Sequence, residues 1–484
     1  MSLTDYTIND APMLMDIRSE TLEPISNTSR KFVFRLDQAG YLDQNSLLLF
    51  KPQSVANNGN KRVNSFNGGL GAIKRATLSV GDFVINDIDG ADKMMTLSNF
   101  VSKNDGVRNN LDCWYYQNQL FYKVLTGADT EYSGGGDIVG NGTIVMDKRK
   151  SGLNTGDQNN NNNACGLNSC IILQNADLNI QIGIPLGTIF PALKGRTLPL
   201  FLFQDYRILI TIEFNDATEY VNDIAQVPAG GAANVALLAT AGSVNYTDVK
   251  LQVDYLIMPA EVQNKDRAMT NQQGGLNLTF LDAVKVQKQI PVQAVGVKQE
   301  VEHRIGADNK EVHKIYMVKK LTEHDLLNSV KIFGQQRIDA INQEEYNVNI
   351  AGVDVFPDFK KFPNQHYDET SNCLGSDIQV PRPIYYNDEN TACNGLGADA
   401  HGTLGRYKPL CLDLTNGNPG ILGAGRTIGA YPIIWKYRRL GASATANIYG
   451  TRLHGAMNVD YYLLVSKTAN IRSTPQGTNV MVSY

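Results

Sequence analysis

The sequence predicts an all-β protein of two β-sandwiches in tandem, with a few short helical insertions and long loops. Three observations predict it. The stretch Thr197–Phe214, TLPLFLFQDYRILITIEF, ends in a clean alternation, with Ile208, Ile210, Ile212 and Phe214 facing one way and Arg207, Thr211 and Glu213 the other. Period-two alternation of β-branched residues marks a strand with one buried face. Short segments of the same kind, separated by Gly, Pro and Asn clusters, recur along the chain, as they do in sandwiches and jelly rolls. The two halves also carry weakly repeated β segments on either side of a polar junction.

Taken in order, residues 1–27 contain Pro12, Pro24 and scattered apolar residues without a period, and read as an extended arm. Alternation begins at Arg30–Leu36, where Phe32, Phe34 and Leu36 share a face, and a second strand follows at Ser46–Phe50. Lys51–Gly71 is rich in Asn and Gly and reads as a loop; Ala72–Asn86 reads as two strands around the turn dipeptide Gly81-Asp82. Ala91–Val101 and Leu111–Leu125 show helical spacing instead and read as insertions. Residues 127–169, with Gly134-Gly135-Gly136 and the Asn159–Asn163 run, form a long low-complexity surface loop. Strands resume at Cys170–Leu173, Leu178–Ile184 and the opening stretch, whose apolar first half Leu198–Phe203, with its Pro, reads as a strand entry lying against something else. The Ala/Gly-rich loop Val227–Gly242 precedes a strand at Val249–Ile257, expected to be the partner of Ile208–Phe214. Pro259–Leu276 is polar and has the character of a linker.

Beyond it the β pattern restarts at Val284–Val292, Val312–Val318, Val330–Phe333 and Tyr346–Ile350. An irregular, Pro-punctuated segment spans about Phe356–Gly405, and strands return at Leu410–Leu414, Ile433–Tyr437, Ala446–Tyr449 and Val459–Ser466. The halves echo each other in order. Leu78-Ser79-Val80-Gly81 with Ile85-Asn86 resembles Lys331-Ile332-Phe333-Gly334 with Ile338-Asp339, and Val253-Asp254-Tyr255 matches Val459-Asp460-Tyr461. The resulting division is an arm (1–27), a first sandwich (28–260), a linker (261–276), a second sandwich (277–470) and a C-terminal tail (471–484).

Composition narrows the function classes. A chain of 484 residues exceeds the size of a single core, and 42% hydrophobic residues suffice for two. With 19% charged residues and a net charge of −4 there is no basic field for nucleic acid. Lys148-Arg149-Lys150 and Lys436-Tyr437-Arg438-Arg439 read as solvated loop and strand charges, so no direct sequence-specific nucleic-acid binding is expected. The N-terminus has no apolar core of a secretory signal and no run reaches a membrane span, which predicts a soluble protein made in the cytosol. The six cysteines (Cys113, Cys165, Cys170, Cys373, Cys393 and Cys411) form no CxxC pair and are expected to be free thiols.

No motif carries catalytic, cofactor or metal chemistry, and none is expected. GGGDIVGNG (134–142) and GILGAG (420–425) lack a following Lys-Ser/Thr and a strand–helix context, which leaves them as loop tips. His303, His313, His324, His366, His401 and His454 include no HxH or HxxxH pair. There is no GxSxG elbow, and no carboxylate pair stands out. The aromatics Trp114, Tyr115, Tyr116, Phe121 and Tyr122 lack basic neighbours and read as packing, not as a base-stacking platform. The sequons at Asn27, Asn141, Asn245 and Asn277 are expected to be coincidental.

One constellation carries a resemblance. Ile184-Pro185-Leu186, then Phe190, then Leu198-Pro199-Leu200-Phe201-Leu202-Phe203-Gln204 running into the strand Ile208–Phe214, resembles the double jelly-roll major capsid proteins of large eukaryotic DNA viruses, virophages and polinton-like viruses. Leu111-Asp112-Cys113-Trp114 is similar to the helix between strands of that family's first jelly roll. In the family the Gln is often followed directly by Tyr and His, whereas here Asp205 intervenes before Tyr206. The resemblance implies a double jelly roll that trimerises into pseudo-hexagonal capsomers tiling an icosahedral shell. It implies a virion protein, assembled in the host cell, with neighbouring capsomers, minor capsid proteins and penton proteins as its partners, and an inner end that faces minor capsid proteins or an internal membrane. Two other readings fit a double sandwich: a carbohydrate-binding protein or glycosidase, against which the presence of only two Trp argues, and a membrane-shaping scaffolding protein of the same fold.

Overall fold

A computed structural model describes residues 16–55, 61–64, 68–94, 170–172, 181–203, 206–225, 235–238, 242–294, 297–307, 309–321, 344–360, 365, 369, 410–415, 425–428, 432–439, 456–474 and 477–483. The long loop 127–169, the expected helix Leu111–Leu125, the strands Val330–Phe333 and Ala446–Tyr449, and most of 356–405 lie outside them, and of Ala91–Val101 only the helical turn 91–94 is included.

Ile208–Phe214 forms as the alternation requires: Ile208, Ile210, Ile212 and Phe214 are buried, and the residues between them are half-buried. It is the middle strand of a five-stranded antiparallel sheet, between Lys31–Leu36 and Ile73–Val80. Its neighbours bring inward-facing sets of the same period, Phe32, Phe34 and Leu36 on one side and Ala76, Leu78 and Val80 on the other. Phe83–Asp89 closes that sheet through the expected hairpin, where Gly81 turns at φ +58 with the Tyr206 ring packed against the space a Cβ would fill.

The expected partner of Ile208–Phe214 is in the other sheet. Val244–Ile257 pairs with Leu47–Ser54 and Tyr41–Leu42 on one side and Asp16–Leu22 on the other. The two strands meet face to face across the core, where the Phe214 and Tyr246 rings stack with centroids 4.3 Å apart. Alternation marks both as core strands but does not say which sheet each joins. Leu198–Phe203 also departs from expectation. Only Leu198–Pro199 is a strand; Leu200–Phe203 is a 3-10 turn with all four side chains buried, begun by Leu200 N–H donating to Gly40 C=O at 2.9 Å. An unbroken apolar run fits a turn enclosed on all sides as well as it fits a strand.

Other segments read as irregular are ordered. The expected linker contains the helix Ala260–Gln272, ended by Gly274 and Gly275 at positive φ. Its buried residues are Asp266 and Thr270, so it has no apolar stripe to betray it; the Tyr41 hydroxyl donates to the Asp266 carboxylate, and Arg267 lies over the Phe201 ring. Asp16–Leu22, within the expected arm, pairs with residues 251–257, and Gly477–Ser483, within the expected tail, pairs with residues 468–474. Lys61–Asn64, Val221–Ala225 and Val235–Leu238, two of them within expected loops, join Cys170–Ile172 in a small separate sheet.

The second sandwich packs a sheet of Leu276–Ile290, Met457–Thr474, Glu311–Leu321 and Leu410–Asp413 against one of Gln299–Ile305, Ile433–Arg439, Glu344–Ile350 and Val353–Asp354. Its core gathers Trp435, Tyr437, Tyr346 and Tyr461, with the Trp435 and Tyr346 rings stacked at 5.4 Å. Leu276–Ile290 and Met457–Thr474 run paired from Leu276↔Ile471 to Ile290↔Met457. At one end this ladder adds Leu278, Phe280, Ala469 and Ile471 to the first core; at the other it adds Ile290, Met457, Val459, Tyr461, Leu463 and Val465 to the second. One pair of strands therefore serves both cores.

Candidate functional site

The least expected chemistry lies where that ladder passes from one core to the other. On the inward face Asp282 and Lys467 form an ion pair at 2.9 Å, with side chains 4% and 3% exposed. The Asn86 amide, from the first sandwich, donates to Asp282 at 3.3 Å and accepts from the Ala192 N–H at 3.1 Å. On the opposite face Lys93, in the helical turn 91–94, meets Asp460 at 2.6 Å, and Gln287 donates to the same carboxylate at 3.0 Å. Lys285 reaches Asp89 at 3.3 Å, Arg196 donates to Thr279 C=O at 2.9 Å, and Met94 packs with Tyr316, Val318, Cys411 and Tyr462. Gly90 turns at φ +68 with the Tyr462 hydroxyl 2.5 Å from where a Cβ would sit, so only glycine permits this approach.

The two carboxyls titrate in opposite directions. Burial pushes the Asp282 carboxyl up, more than the Lys467 ammonium draws it down. Burial also works against charge on Asp460, but attraction and hydrogen bonding from Lys93, with Lys285 and Gln287 assisting, outweigh it and hold that carboxyl low. Lys93 is correspondingly raised: burial opposes its charge, and Asp460 with Asp92 overcomes the penalty. Such groups join elements; being buried on both faces, they offer no surface to a substrate.

Histidine and serine do approach each other, without forming a relay. His313 Nε2 lies 2.7 Å from Ser466 Oγ, and Glu311 approaches that same nitrogen at 3.9 Å, whereas a relay needs the carboxylate on Nδ1, the opposite side of the ring. His303 is held between the Tyr461 hydroxyl at 2.8 Å and Gln289 C=O at 3.0 Å. Burial lowers the pKa of both imidazoles. His324, His366, His401 and His454 lie outside the described residues, as do Gly134–Gly142, Lys148–Lys150 and the aromatics around Trp114. Among the described residues no cluster suits a metal ion, and Cys411 is fully buried. Lys436 pairs with Asp354, and Arg438 with Glu300 and Glu345, so that basic run is neutralised by its neighbouring strands.

The repeat singled out in sequence occupies matching places. Val253 and Tyr255, like Val459 and Tyr461, face inward on the longest strand of their sandwich and are fully buried. Both hydroxyls are used: Tyr255 accepts from the Asp37 N–H, and Tyr461 meets His303. The other repeat copy, 331–339, lies outside the described residues. Sequence reasoning did not single out Asp282 or Lys467. The available signal was one acid among the inward positions Leu278, Phe280, Asp282, Val284 and Val286.

No family model matches the chain, and no curated protein matches it. Solved structures do. PBCV-1 VP54, fitted into a reconstruction of the virophage Sputnik, aligns over 99% of this chain and 100% of its own at 10% identity, with a TM-score of 0.53. The fold is a double jelly roll. A quasi-atomic model of the PBCV-1 virus capsid gives the same identity, coverage and TM-score. The mavirus major capsid protein aligns over 96% of this chain and 90% of its own at 11% identity, with a TM-score of 0.49. Within this double jelly roll, the motif residues on which the resemblance rests are part of the first core: Ile184, Leu186, Phe190, Leu198 and Leu200–Phe203 are all buried in it.

Proposed function

We propose that the chain is a major capsid protein, a structural subunit without catalysis that trimerises into pseudo-hexagonal capsomers and tiles an icosahedral viral shell. The observation that carries this reading is the extent of the likeness to PBCV-1 VP54, which covers both sandwiches together and leaves neither chain with a large unmatched part. The physical logic agrees. Three chains with two similar sandwiches each place six comparable units around a threefold axis, provided the two sandwiches of a chain keep a fixed relation. A strand pair built into both cores, with buried polar contacts at the crossover, is suited to that task.

On this reading the chain divides into the two sandwiches 28–260 and 277–470, joined by the polar stretch that contains the helix Ala260–Gln272. The virion is its place of residence. Its partners are two further copies, neighbouring capsomers, and minor capsid and penton proteins, and its inner end faces minor capsid proteins or an internal membrane. No helix among the described residues is long and apolar enough to cross that membrane itself. Electron microscopy with size-exclusion chromatography of the purified protein tests the proposal. Trimeric plates of hexagonal outline are expected; a stable monomer that binds or hydrolyses glycans would overturn it in favour of the carbohydrate reading.

A further inference from the structure

The ladder between Leu276–Ile290 and Met457–Thr474 is long enough to pose a register problem. A slip by one residue is excluded because it would turn every inward side chain outward. A slip by two is not excluded by the apolar pattern, since it keeps Leu276, Leu278, Phe280, Val284 and Val286 on the inward face. Of the outward cross-strand pairs, Asn277–Asn470 and Gln289–Asn458 are exposed, where water replaces either partner, and the buried Asp460 opposite Gln287 keeps its cation Lys93 when Leu276–Ile290 slips along it. Asp282 is different. It is the one charge on the inward face between Leu276 and Val286, opposite Val465 and diagonal to Lys467, which itself lies opposite Phe280.

We propose that the buried Asn86–Asp282–Lys467 cluster is a register lock: it selects the single alignment of the shared ladder, and with it the placement of the second sandwich on the first. Slipping one way sets Asp282 opposite Leu463 and takes its charge away from Lys467. Slipping the other way keeps Lys467 near but displaces Asp282 from Asn86 by about 7 Å, two residues of strand rise. Either move leaves a buried charge or amide short of its partner, the penalty by which lone polar groups fix register elsewhere. The upward displacement of the Asp282 carboxyl by burial fits a group kept for specificity more than for stability.

Cysteine trapping on the full chain tests this. Asn277→Cys with Asn470→Cys reports the observed register, and Asn277→Cys with Thr468→Cys or Arg472→Cys reports the two slips. Disulfides are mapped by mass spectrometry. In the otherwise unchanged chain the in-register link should dominate. Replacing both charges, Asp282→Leu with Lys467→Leu, should leave the protein folded and raise a slipped link about tenfold relative to the in-register one, equivalent to about 1.4 kcal/mol. An unchanged ratio in the folded double variant overturns the lock. So does failure of that variant to fold, because the pair would then be a source of stability and not of register. Neither result bears on the capsid reading, which assembly tests separately.

Discussion

The two sandwiches solve the same packing problem with different chemistry. The first core is built mainly on Phe32, Phe34, Phe50, Phe190, Phe203 and Phe214 with Ile208, Ile210 and Ile212; of its tyrosines, Tyr41 donates to the Asp266 carboxylate, Tyr246 donates to Asn215 C=O and Tyr255 accepts from the Asp37 N–H. The second is built on Tyr346, Tyr437, Tyr461 and Trp435, with His303 buried among them. Its polar tips need partners: Tyr346 donates to Cys411 C=O at 2.8 Å and Tyr461 meets His303, while the Trp435 indole N–H has no hydrogen-bond partner among the described residues. The difference lies in the imidazole: a core of aliphatic, phenyl and phenol groups takes up no proton near neutral pH, whereas one with a buried histidine is open to protons. The crossover joins the two, so damage to one core should reach the other through the shared ladder.

That coupling gives the largest expected effect. Ile210→Asp places a carboxylate in the first core and should cost at least about 4 kcal/mol. Loss of soluble assembled protein is expected, with the second sandwich becoming protease-sensitive as well. A protected fragment spanning 277–470 would show that the cores fold independently.

Next comes the crossover itself. Lys93→Met leaves Asp460 buried without its main cation and should destabilise the chain by about 3–5 kcal/mol near neutral pH, measured by denaturant unfolding. Because the folded Asp460 carboxyl is held low, its contribution is complete above the unfolded value of about 4 and is lost as pH falls through its folded pKa. The gap between the two proteins should close in acid.

The contrast in core chemistry predicts a difference in acid response. His303 is buried with its pKa lowered, so the unfolded chain binds a proton before the folded one, and stability falls as pH drops below about 6.5. Hydrogen exchange should show Gln299–Ile305 and Ile433–Arg439 loosening before Ile208–Phe214 does. Tyr461→Phe, which takes away the hydroxyl beside His303, should cost about 1–3 kcal/mol in thermal or denaturant unfolding. Equal loosening of both sandwiches would erase the distinction.

The smallest effect concerns a turn. Ala351 and Gly352 join Glu344–Ile350 to Val353–Asp354 with φ of +54 and +83, a backbone that suits Asn-Gly better than Ala-Gly. Ala351→Asn should raise stability by about 0.5–1 kcal/mol without altering assembly.

What the sequence determined by itself was the facing of its strands and the existence of two β units. Ile208, Ile210, Ile212 and Phe214, the Phe32–Phe34–Leu36 face and the Gly81 hairpin were legible because they depend on neighbours along the chain, through period-two geometry and turn chemistry. The tertiary structure alone decided which strands share a sheet. It set Val244–Ile257 across the core from Ile208–Phe214, made a polar helix of Ala260–Gln272, and carried Leu276–Ile290 with Met457–Thr474 through both cores. It also brought Asn86, Asp282 and Lys467 together from three distant segments. Pairing across such separations is settled by which alignment buries every apolar face and leaves no charge without its partner, a condition on the folded whole that no local pattern contains.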